Sequence, residues 1–362
     1  MPVTAQELIK YGKSSIDLYL KNNPIDSVNP DRPWLKKLME TKKETLGGKD
    51  KLVIQVRKGN DSNFQSFYGS DQVTYNRKDT LEQAKYDYVN FHDGFSLHED
   101  DFIRNGVVIT EGGPGKRATA MEKATITNLF KEHNETLRQG FEESLDITTL
   151  APYGANLSSL VPNITSNDVV GLHDMVPFDN ATGTYAGISR TNAYWQNFSN
   201  NAVTTTVGDP NNILTQMRKA WRACIKYGGR PDCILVGSAY LDAYVDYMLN
   251  NFGRVDYAPI AKKGVEGAEG EVYYQGVPVV WCPTFDLLDG TGIGEDASNP
   301  NWSKRCYFIN TRFLKLMPIK GQHMVTRTPP RTYNKYEYYW ALTTRFYLVN
   351  SRPTAHAVLG LA

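Results

Sequence analysis

Residues 116–145, KRATAMEKATITNLFKEHNETLRQGFEESL, predict one helix about 30 residues long. The other segments of the chain precede or follow this helix in the sequence. Side chains that recur at steps of four residues would lie on one side of this helix: Leu129, His133, Leu137, Phe141 and Leu145. All but one are apolar, so they form the stripe by which a helix packs on its neighbours. Helices in globular proteins average about 11–12 residues, which makes this one unusually long for a compact domain.

Two strand-like segments precede the helix. KLVIQVRK at 51–58 is rich in apolar and β-branched residues, and AKYDYVNFHDGFSL at 84–97 contains alternating aromatics, a pattern typical of strands. The polar stretch 59–80 separates them. Together they predict a two-stranded ribbon with a long polar far end. A two-stranded ribbon is marginally stable on its own in water. We therefore expect the segment at about 51–98 to serve assembly and not the core.

Residues 1–48 predict an extended arm with one or two short helices. Prolines interrupt the segment at NNPIDSVNPDRP, and Trp34, Leu35 and Leu38 then indicate a short helix before Gly47 and Gly48. The arm has too little apolar surface to form a core of its own. It must dock elsewhere or stay mobile.

Residues 208–300 alternate between helix and strand patterns. DPNNILTQMRKAWRACIKYG predicts an amphipathic helix with Asp209 as its N-cap and Pro210 at its first position. PDCILVGS then predicts a buried strand, AYLDAYVDYMLNNFG a helix that ends at Gly253, and EVYYQGVPVVWCPTF another strand. This order describes a small α/β subdomain. Three further strand candidates follow within 304–362: RCYFINTRFLKLMPI, YEYYWALTTRFYLVN and PTAHAVLGL.

Composition excludes several classes of protein. Apolar residues make up 41% of the 362-residue chain and charged residues 22%, as in folded proteins generally. No run approaches the roughly 20 apolar residues of a membrane helix, and the N-terminus does not have the pattern of a secretory signal. The four cysteines lack zinc-site spacing, and we expect them to be reduced and buried.

Three motifs suggest chemistry, but each departs from the pattern that the chemistry needs. The segment Gly112 to Arg117 has the wrong spacing for a phosphate-binding loop and lacks its Ser or Thr. Ser238 follows a strand as a nucleophile would, but the second Gly is missing, and we expect Ser238 to cap the next helix. The histidines and acids of 92–101 match no familiar metal spacing. We therefore expect no catalytic residue, no cofactor, no metal and no enzymatic activity.

The order of the segments resembles that of the major capsid proteins of tailed bacteriophages, which share the Hong Kong 97 fold. Stretches that resemble this family are AKYDYVNFHDGFSLHEDDFIRNG, RPDCILVGSAYLDAYVDYM with YYQGVPVVWCPTF, CYFINTRFLKLMPI, and the closing RPTAHAVLGLA. Each stretch is unspecific by itself, and their joint order over nearly the whole chain makes the resemblance.

The resemblance implies an α+β capsid fold with five segments. These are an N-terminal arm at 1–48, an extended loop at 49–98, a peripheral domain at 99–207 with its spine helix near 116–145, an axial domain at 208–300, and the C-terminal strands of the peripheral domain at 301–362. In this family the extended loop lies across the peripheral domain of a neighbouring subunit. The axial domains meet at the centres of pentamers and hexamers.

The resemblance further implies a structural subunit that assembles with itself through hexamers and pentamers into an icosahedral head. That head encloses double-stranded DNA without sequence specificity. The expected partners are a separate scaffolding protein, a portal and a decoration protein, with no membrane. The expected location is the virion, after synthesis and assembly in the cytoplasm of the bacterial host. Two alternatives remain open: a bacterial nanocompartment shell protein of the same fold, and an α/β hydrolase that uses Ser238.

Charge is distributed unevenly along the chain, although its net charge is only +1. Residues 301–362 contain ten Lys or Arg and one acid, a net of +9, whereas residues 79–101 contain seven acids and one Lys, a net of −6. We hypothesise that the acidic and basic strands face each other, partly within and partly between subunits; the alternative is that the basic strands face the genome. The candidate inter-subunit contacts are Trp34, Phe67, Tyr68, Asp71, Tyr75, Asp87, Asp93, Arg327, Arg331 and Arg345.

Overall fold

The computed structural model of the chain describes residues 31–47, 50–60, 62–98, 100, 120–226, 228–252, 272–328 and 337–362. Its helices are α1 (Pro33–Glu40), α2 (Ala120–Leu150), α3 (Leu172–Met175), α4 (Ile213–Ile225), α5 (Ser238–Phe252) and α6 (Pro283–Leu288). Its strands are β1 (Lys51–Arg57), β2 (Leu81–Asp87), β3 (Val89–His98), β4 (Thr184–Tyr185), β5 (Ile188–Ser189), β6 (Phe198–Val203), β7 (Cys233–Val236), β8 (Val272–Tyr274), β9 (Val277–Trp281), β10 (Arg305–Ile309), β11 (Leu314–Pro318), β12 (Val325–Arg327), β13 (Glu337–Asn350) and β14 (Ala357–Leu361). Most of the predicted arm, the start of the long helix at 116–119, and the Gly112 to Arg117 motif lie outside the described residues.

The chain divides into two compact units. The described part of the first unit lies within Asn90–Ser144 and Gly321–Arg345, and the second consists of Asp31–Val89, Leu145–Lys320 and Phe346–Ala362. In the first unit, β3 and β12 pair with the N-terminal half of β13. In the second unit, β11 pairs with the C-terminal end of the same strand.

The predicted long helix is present as α2, and it continues five residues beyond the predicted end, to Leu150. Leu137, Phe141 and Leu145 are buried, as the stripe predicts. The extra turn contains polar residues that disfavour a helix interior unless they have partners. Thr148 and Thr149 have them, because their hydroxyls donate to the carbonyls of Leu145 and Asp146, each at 3.1 Å.

A six-stranded sheet forms the centre of the second unit, with strand order β6-β14-β10-β7-β9-β8. The β14–β6 and β7–β9 pairs are parallel, and the other pairs are antiparallel. On one face, Ile234, Phe308 and Leu359 pack in a single core cluster with α4 and α5. On the other face, the Tyr307 ring lies 5.7 Å from the ring of Phe285 in α6. The predicted α/β arrangement is therefore present.

The strand order of this sheet does not follow the domain boundaries expected from the sequence. The boundaries at 207/208 and 300/301 separate β6, β10 and β14 from β7 and β9, yet all five belong to one sheet. Pairing between strands far apart in sequence leaves no local signal, so the order of segments alone could not reveal this return of the C-terminus to the sheet.

The predicted ribbon is formed by β1 and β2, which pair antiparallel from Lys51 opposite Asp87 to Arg57 opposite Leu81. The described residues of the connection, which we call the ribbon tip (58–80), contain no strand. β3 leaves the ribbon and pairs with β13 instead. At Gly94 a Cβ atom would lie 2.8 Å from the carbonyl oxygen of Trp340, so the close approach of β3 to β13 requires glycine there.

Candidate assembly surfaces and similar structures

The ribbon tip exposes large aromatic side chains. The exposed fraction is 96% for Phe64, 90% for Tyr68 and 89% for Tyr75, and Phe67 is also exposed. A turn orders the end of the tip, because the Tyr68 N–H donates to the Asp71 carboxylate at 3.0 Å and the Asp71 N–H donates to the Tyr68 carbonyl at 3.2 Å. Monomeric proteins rarely expose apolar side chains in such a concentration unless the surface binds something. Four of the candidate contacts therefore lie on one exposed element.

The base of the ribbon is packed into the second unit. Tyr86 is buried, its hydroxyl donates to the carbonyl of Asn350 at 2.7 Å, and its ring meets the edge of the Tyr185 ring at 6.1 Å. The Lys85 N–H donates to the carbonyl of Ala186 at 2.8 Å. The expectation that the whole ribbon stays out of the core is therefore wrong at its base, because β2 carries side chains that complete the hydrophobic packing.

A second attachment of the ribbon base involves Tyr194. Its hydroxyl donates to the Glu82 carboxylate. Burial and this hydrogen bond raise the pKa of Tyr194 to about 12. The tip and the base of the ribbon thus differ in environment: the first is exposed, and the second is fixed to the body of its own chain.

Trp34 lies inside its own chain, which corrects its selection as an inter-subunit contact. Its side chain is 1% exposed, and its indole N–H donates to the Thr149 hydroxyl at 3.0 Å. The neighbouring Leu35 N–H donates to the Asp146 carboxylate at 3.1 Å. The short helix α1 buries its apolar face on the last turn of α2, because that turn offers both apolar area and hydrogen-bond partners.

Acidic residues of the ribbon, among them the candidate Asp87, already have partners within it. The Asp87 carboxylate lies 2.8 Å from the Lys51 ammonium on the opposite strand, and this hydrogen bond raises the pKa of Lys51. Asp79 lies 2.5 Å from Lys58, which lowers the pKa of Asp79. Asp93, on β3, accepts a hydrogen bond from the N–H of Gly94 at 2.8 Å.

Two of the basic candidates, Arg327 and Arg345, lie on strands of the first unit. The Arg327 guanidinium donates to the Thr343 hydroxyl at 2.8 Å and to the Gln322 side chain at 2.9 Å, and Arg345 is exposed. Arg331 lies outside the described residues. Because β3 pairs with β13, Asp93 and Arg345 belong to neighbouring strands of one chain. Whether acidic and basic side chains of these strands attract each other stays a prediction.

Ser238 has the surroundings of a structural residue. Its hydroxyl and its N–H donate to the same oxygen of Asp286, at 2.8 Å and 3.2 Å. A serine nucleophile needs an oriented base, most often histidine, and in the part of the chain that the structure describes no histidine is recorded as a partner of this hydroxyl. The prediction that Ser238 caps α5 is wrong by one residue. Ser238 is the first residue of the helix, and the Gly237 carbonyl accepts the first helical hydrogen bond, from Leu241.

The predicted N-cap of α4 is also displaced. The cap is Asn212, whose side chain accepts from the Leu214 N–H at 3.1 Å. Asp209 instead accepts from the Asn211 N–H at 2.8 Å and from the Thr204 hydroxyl, and these bonds lower its pKa. Asp209 therefore shapes the loop before the helix, since its short side chain closes a local turn in preference to a cap.

The four cysteines are buried and free, as predicted. Burial raises the pKa of the Cys224 and Cys233 thiols to about 12, and it raises the pKa of Cys282 and Cys306 as well. Thiols with pKa values this high are protonated and unreactive at neutral pH.

Within the described ranges, the His, Cys, Asp and Glu side chains form no group of three or more that could hold a metal ion. Glu99 and Asp101 of the acidic cluster lie outside those ranges. The described helices also include none with both the length and the apolar character needed to cross a bilayer.

One charged surface was missed by the sequence analysis. A pocket of about 440 Å³ opens beside α4 and is lined by Thr215, Arg218, Trp221, Arg222, Tyr274 and Gln275. The spacing of Arg218 and Arg222, one helical turn apart, was visible in the sequence. The contribution of Tyr274 was not, because β8 reaches the helix only through the packing of the sheet.

Comparison with known proteins gives matches to solved structures only, since no family model and no curated protein sequence matches the chain. The cyanophage A-1(L) capsid subunit superposes with a TM-score of 0.59 at 14% identity, over 94% of this chain and 95% of that one. The mature capsid subunit of bacteriophage PhiM1 gives 0.52 at 11% identity, over 94% and 90%. The capsid of the myovirus XM1 gives 0.50 at 9% identity, over 95% and 98%.

These similarities establish the fold. Nearly the full length of the chain and of each capsid subunit is covered, with TM-scores of 0.50 to 0.59. The chain has the fold of the tailed-phage major capsid proteins, the Hong Kong 97 fold, as its sequence resemblance predicted.

Proposed function

We propose that this chain is the major capsid protein of a tailed bacteriophage. Its role is structural: copies assemble through hexamers and pentamers into an icosahedral head that encloses double-stranded DNA. The observation that supports this most directly is the ribbon tip, whose exposed aromatic side chains bury nothing in their own chain although the base of the same ribbon is firmly packed. In a shell, a neighbouring copy covers such a tip.

The ribbon is suited to this role because its two ends have different environments. The attachment of Tyr86 and Tyr194 holds the base, so the tip is presented in a defined direction. Phe67, Tyr68 and Tyr75 then offer aromatic area of the kind that is enriched at interfaces. A pre-oriented ribbon loses less conformational entropy on docking than a flexible loop does.

The remaining assignments follow from the same proposal. Residues 1–48 act as the arm, 49–98 as the extended loop, 99–207 as the peripheral domain and 208–300 as the axial domain. Strands β10 and β14 of the 301–362 segment join the axial sheet. The subunit works with a scaffolding protein, a portal and a decoration protein. It performs no catalytic step, and its place is the virion after assembly in the host cytoplasm.

Electron microscopy of the purified chain, with and without a co-expressed scaffolding candidate, tests the proposal. Closed polyhedral shells, or hexamers and pentamers, are the expected particles. A chain that stays monomeric under all these conditions contradicts the proposal. Nuclease protection of shells isolated from infected cells separates a genome container, which protects long DNA, from a nanocompartment, which contains protein.

A further inference from the structure

The pocket beside α4 concentrates positive charge. Arg218 and Arg222 stand at its rim one helical turn apart, and both are exposed. Their recorded hydrogen bonds go to uncharged groups of their own helix, to the Leu214 carbonyl and Thr215 hydroxyl from Arg218 and to the Arg218 carbonyl from Arg222. No ion pair with a carboxylate is recorded for either arginine among the described residues. Two guanidinium groups so close together repel each other unless an anion lies between them.

Tyr274 forms part of the wall of the pocket beside the two arginines. It is 7% exposed, and in the described part of the chain its buried hydroxyl has no hydrogen-bond partner. Because that hydroxyl is closed off from solvent, the groups that the pocket offers to an entering carboxylate are the guanidinium groups of Arg218 and Arg222.

The floor of the pocket is aromatic and rigid. The Trp221 ring meets the edge of the Tyr274 ring at 6.0 Å, and the Arg230 guanidinium lies 5.3 Å from the centre of the Trp221 ring. Arg230 is held there by its hydrogen bond to the Gln275 carbonyl, at 2.6 Å. The pocket is therefore formed before any partner binds, which lowers the entropic cost of binding.

The complementary surface is on α5 of the same chain. Asp242 and Asp246 are exposed and lie one helical turn apart, and Leu249 follows them with 48% of its side chain exposed. The spacing of the two carboxylates matches that of Arg218 and Arg222, because both pairs are separated by four residues on a helix. Although α4 and α5 cover the same face of the sheet, no ion pair between these residues is recorded among the described residues.

We propose that the pocket on α4 of one copy receives Asp242 and Asp246 on α5 of the next copy in a ring. This deepens the proposed function and rests on it. The two surfaces differ, so the contact is heterologous. A heterologous contact that repeats around an axis closes into a ring such as a pentamer or hexamer. The carboxylates accept from both arginines, which orients neighbours and suppresses wrong pairings.

Charge reversal tests the contact. Arg218→Glu with Arg222→Glu, and separately Asp242→Lys with Asp246→Lys, should each slow assembly about tenfold or more at low salt, as juxtaposed like charges do. Lys219→Glu with Lys226→Glu is the matched control, since it makes the same change of net charge at two residues that do not line the pocket. Melting temperatures verify that each variant is folded.

The decisive experiment combines the two charge reversals in one chain. The quadruple variant places Glu on α4 opposite Lys on α5 in every contact, so assembly should return to near the wild-type rate. An equimolar mixture of the two double variants should also form hexamers, because alternating copies in a six-membered ring pair correctly.

Three results overturn the inference. The first is folded double variants that assemble at the wild-type rate, and the second is a quadruple variant that remains as defective as its parents. The third is arginine variants that assemble normally but retain less nucleic acid, which would assign the pocket to phosphate. Wild-type protein that never assembles overturns the proposed function first, and the inference with it.

Discussion

The phenolic hydroxyl of Tyr86 donates a hydrogen bond to the backbone carbonyl of Asn350, with 2.7 Å between the two oxygens. This bond connects the ribbon to the end of β13, 264 residues further along the chain. It is buried, and the same Tyr86 ring contacts Tyr185. The base of the ribbon is thus positioned by the folded body of its own chain.

Removal of this hydroxyl should destabilise the isolated subunit. Tyr86→Phe keeps the ring and removes the buried hydrogen bond to the Asn350 carbonyl, so we expect a loss of about 1–2 kcal/mol in the free energy of unfolding. Tyr88→Phe is the matched control, because Tyr88 is 41% exposed and should lose less than about 0.5 kcal/mol. Urea denaturation of unassembled subunits measures both. Equal effects of the two substitutions would contradict the positioning role.

The ribbon tip should affect assembly and not stability. Phe67→Ser with Tyr68→Ser removes two exposed aromatic rings, so we expect a change of less than about 0.5 kcal/mol in unfolding free energy and a severe loss of shells. Light scattering follows assembly, and thermal melting follows stability. Tyr153→Ser, at an exposed position elsewhere, controls for the loss of surface aromatics in general. Normal shells from the double variant would falsify the proposed contact.

Features that depend on residues close together in the sequence could be predicted, and features that depend on contacts between distant residues could not. The stripe of Leu137, Phe141 and Leu145 is a local pattern, and it predicted α2 correctly. The last turn of α2 was missed because part of what stabilises it is distant in sequence: the Thr149 hydroxyl accepts a hydrogen bond from the Trp34 indole N–H. The strands β10 and β14 were assigned outside the α/β subdomain for the same reason, since their partners are far away in sequence.

The candidate contact residues, too, could be predicted only where the pattern was local. The aromatic residues of the ribbon tip were selected correctly as exposed groups, because a polar loop rarely buries its side chains. Trp34 was also selected, but its burial depends on contact with the end of α2, 115 residues further along the chain. The sequence of the arm does not reveal that contact. The pocket at Tyr274 joins a helix to an edge strand 50 residues away, so only the folded chain brings it together.

The buried His356 should make the stability of the subunit depend on pH. Burial lowers the pKa of His356 to about 3, and its Nδ1 accepts from the Asn310 N–H at 3.2 Å, so the ring is neutral in the folded state. The unfolded chain binds a proton near pH 6.5. Between about pH 6.5 and 3 the unfolded state therefore holds more protons, and stability falls as the pH drops through this window.

The expected slope for one such group approaches about 1.4 kcal/mol per pH unit below pH 6. Denaturant midpoints from pH 7 to pH 5 measure it, before most carboxylates titrate. His356→Asn should be less stable at pH 7 and should lose most of this slope. His92→Asn changes an exposed histidine and should keep it. A slope that persists unchanged in His356→Asn contradicts the assignment.

The cysteines should react only after unfolding. With a pKa of about 12 for Cys224 and Cys233, the thiolate fraction at pH 8 is on the order of one in ten thousand, and burial blocks access as well. Titration with a thiol reagent should find almost no fast groups in the native protein and four in denaturant. Fewer than four groups in denaturant without a reducing agent would indicate a disulfide.

The acidic segment 79–101 and the basic segment 301–362 predict an attraction between subunits, and the structure shows which acidic residue tests it best. Reversal of Asp87 would leave Lys51 opposite a second Lys within the ribbon, so a defect of that variant would not isolate a contact between subunits. Asp93 has no such recorded cation partner on the ribbon, and its carboxylate accepts only from the adjacent Gly94 N–H in the described contacts. Asp93→Lys is therefore the better test of attraction between the acidic segment and the basic strands of a neighbour.

If that attraction guides assembly, Asp93→Lys should slow the formation of empty shells at low salt, and the defect should shrink as salt screens the charges over about 10 Å or less. Arg345→Glu, on the basic side, should give a similar defect, and the two reversals combined should partly restore the rate. The exchange of Lys51→Asp with Asp87→Lys keeps the ribbon pair and its net charge, so it should assemble normally. If Arg345→Glu forms empty shells at the wild-type rate but packages DNA poorly, the basic strands face the genome, because phosphates attract arginine without any sequence preference.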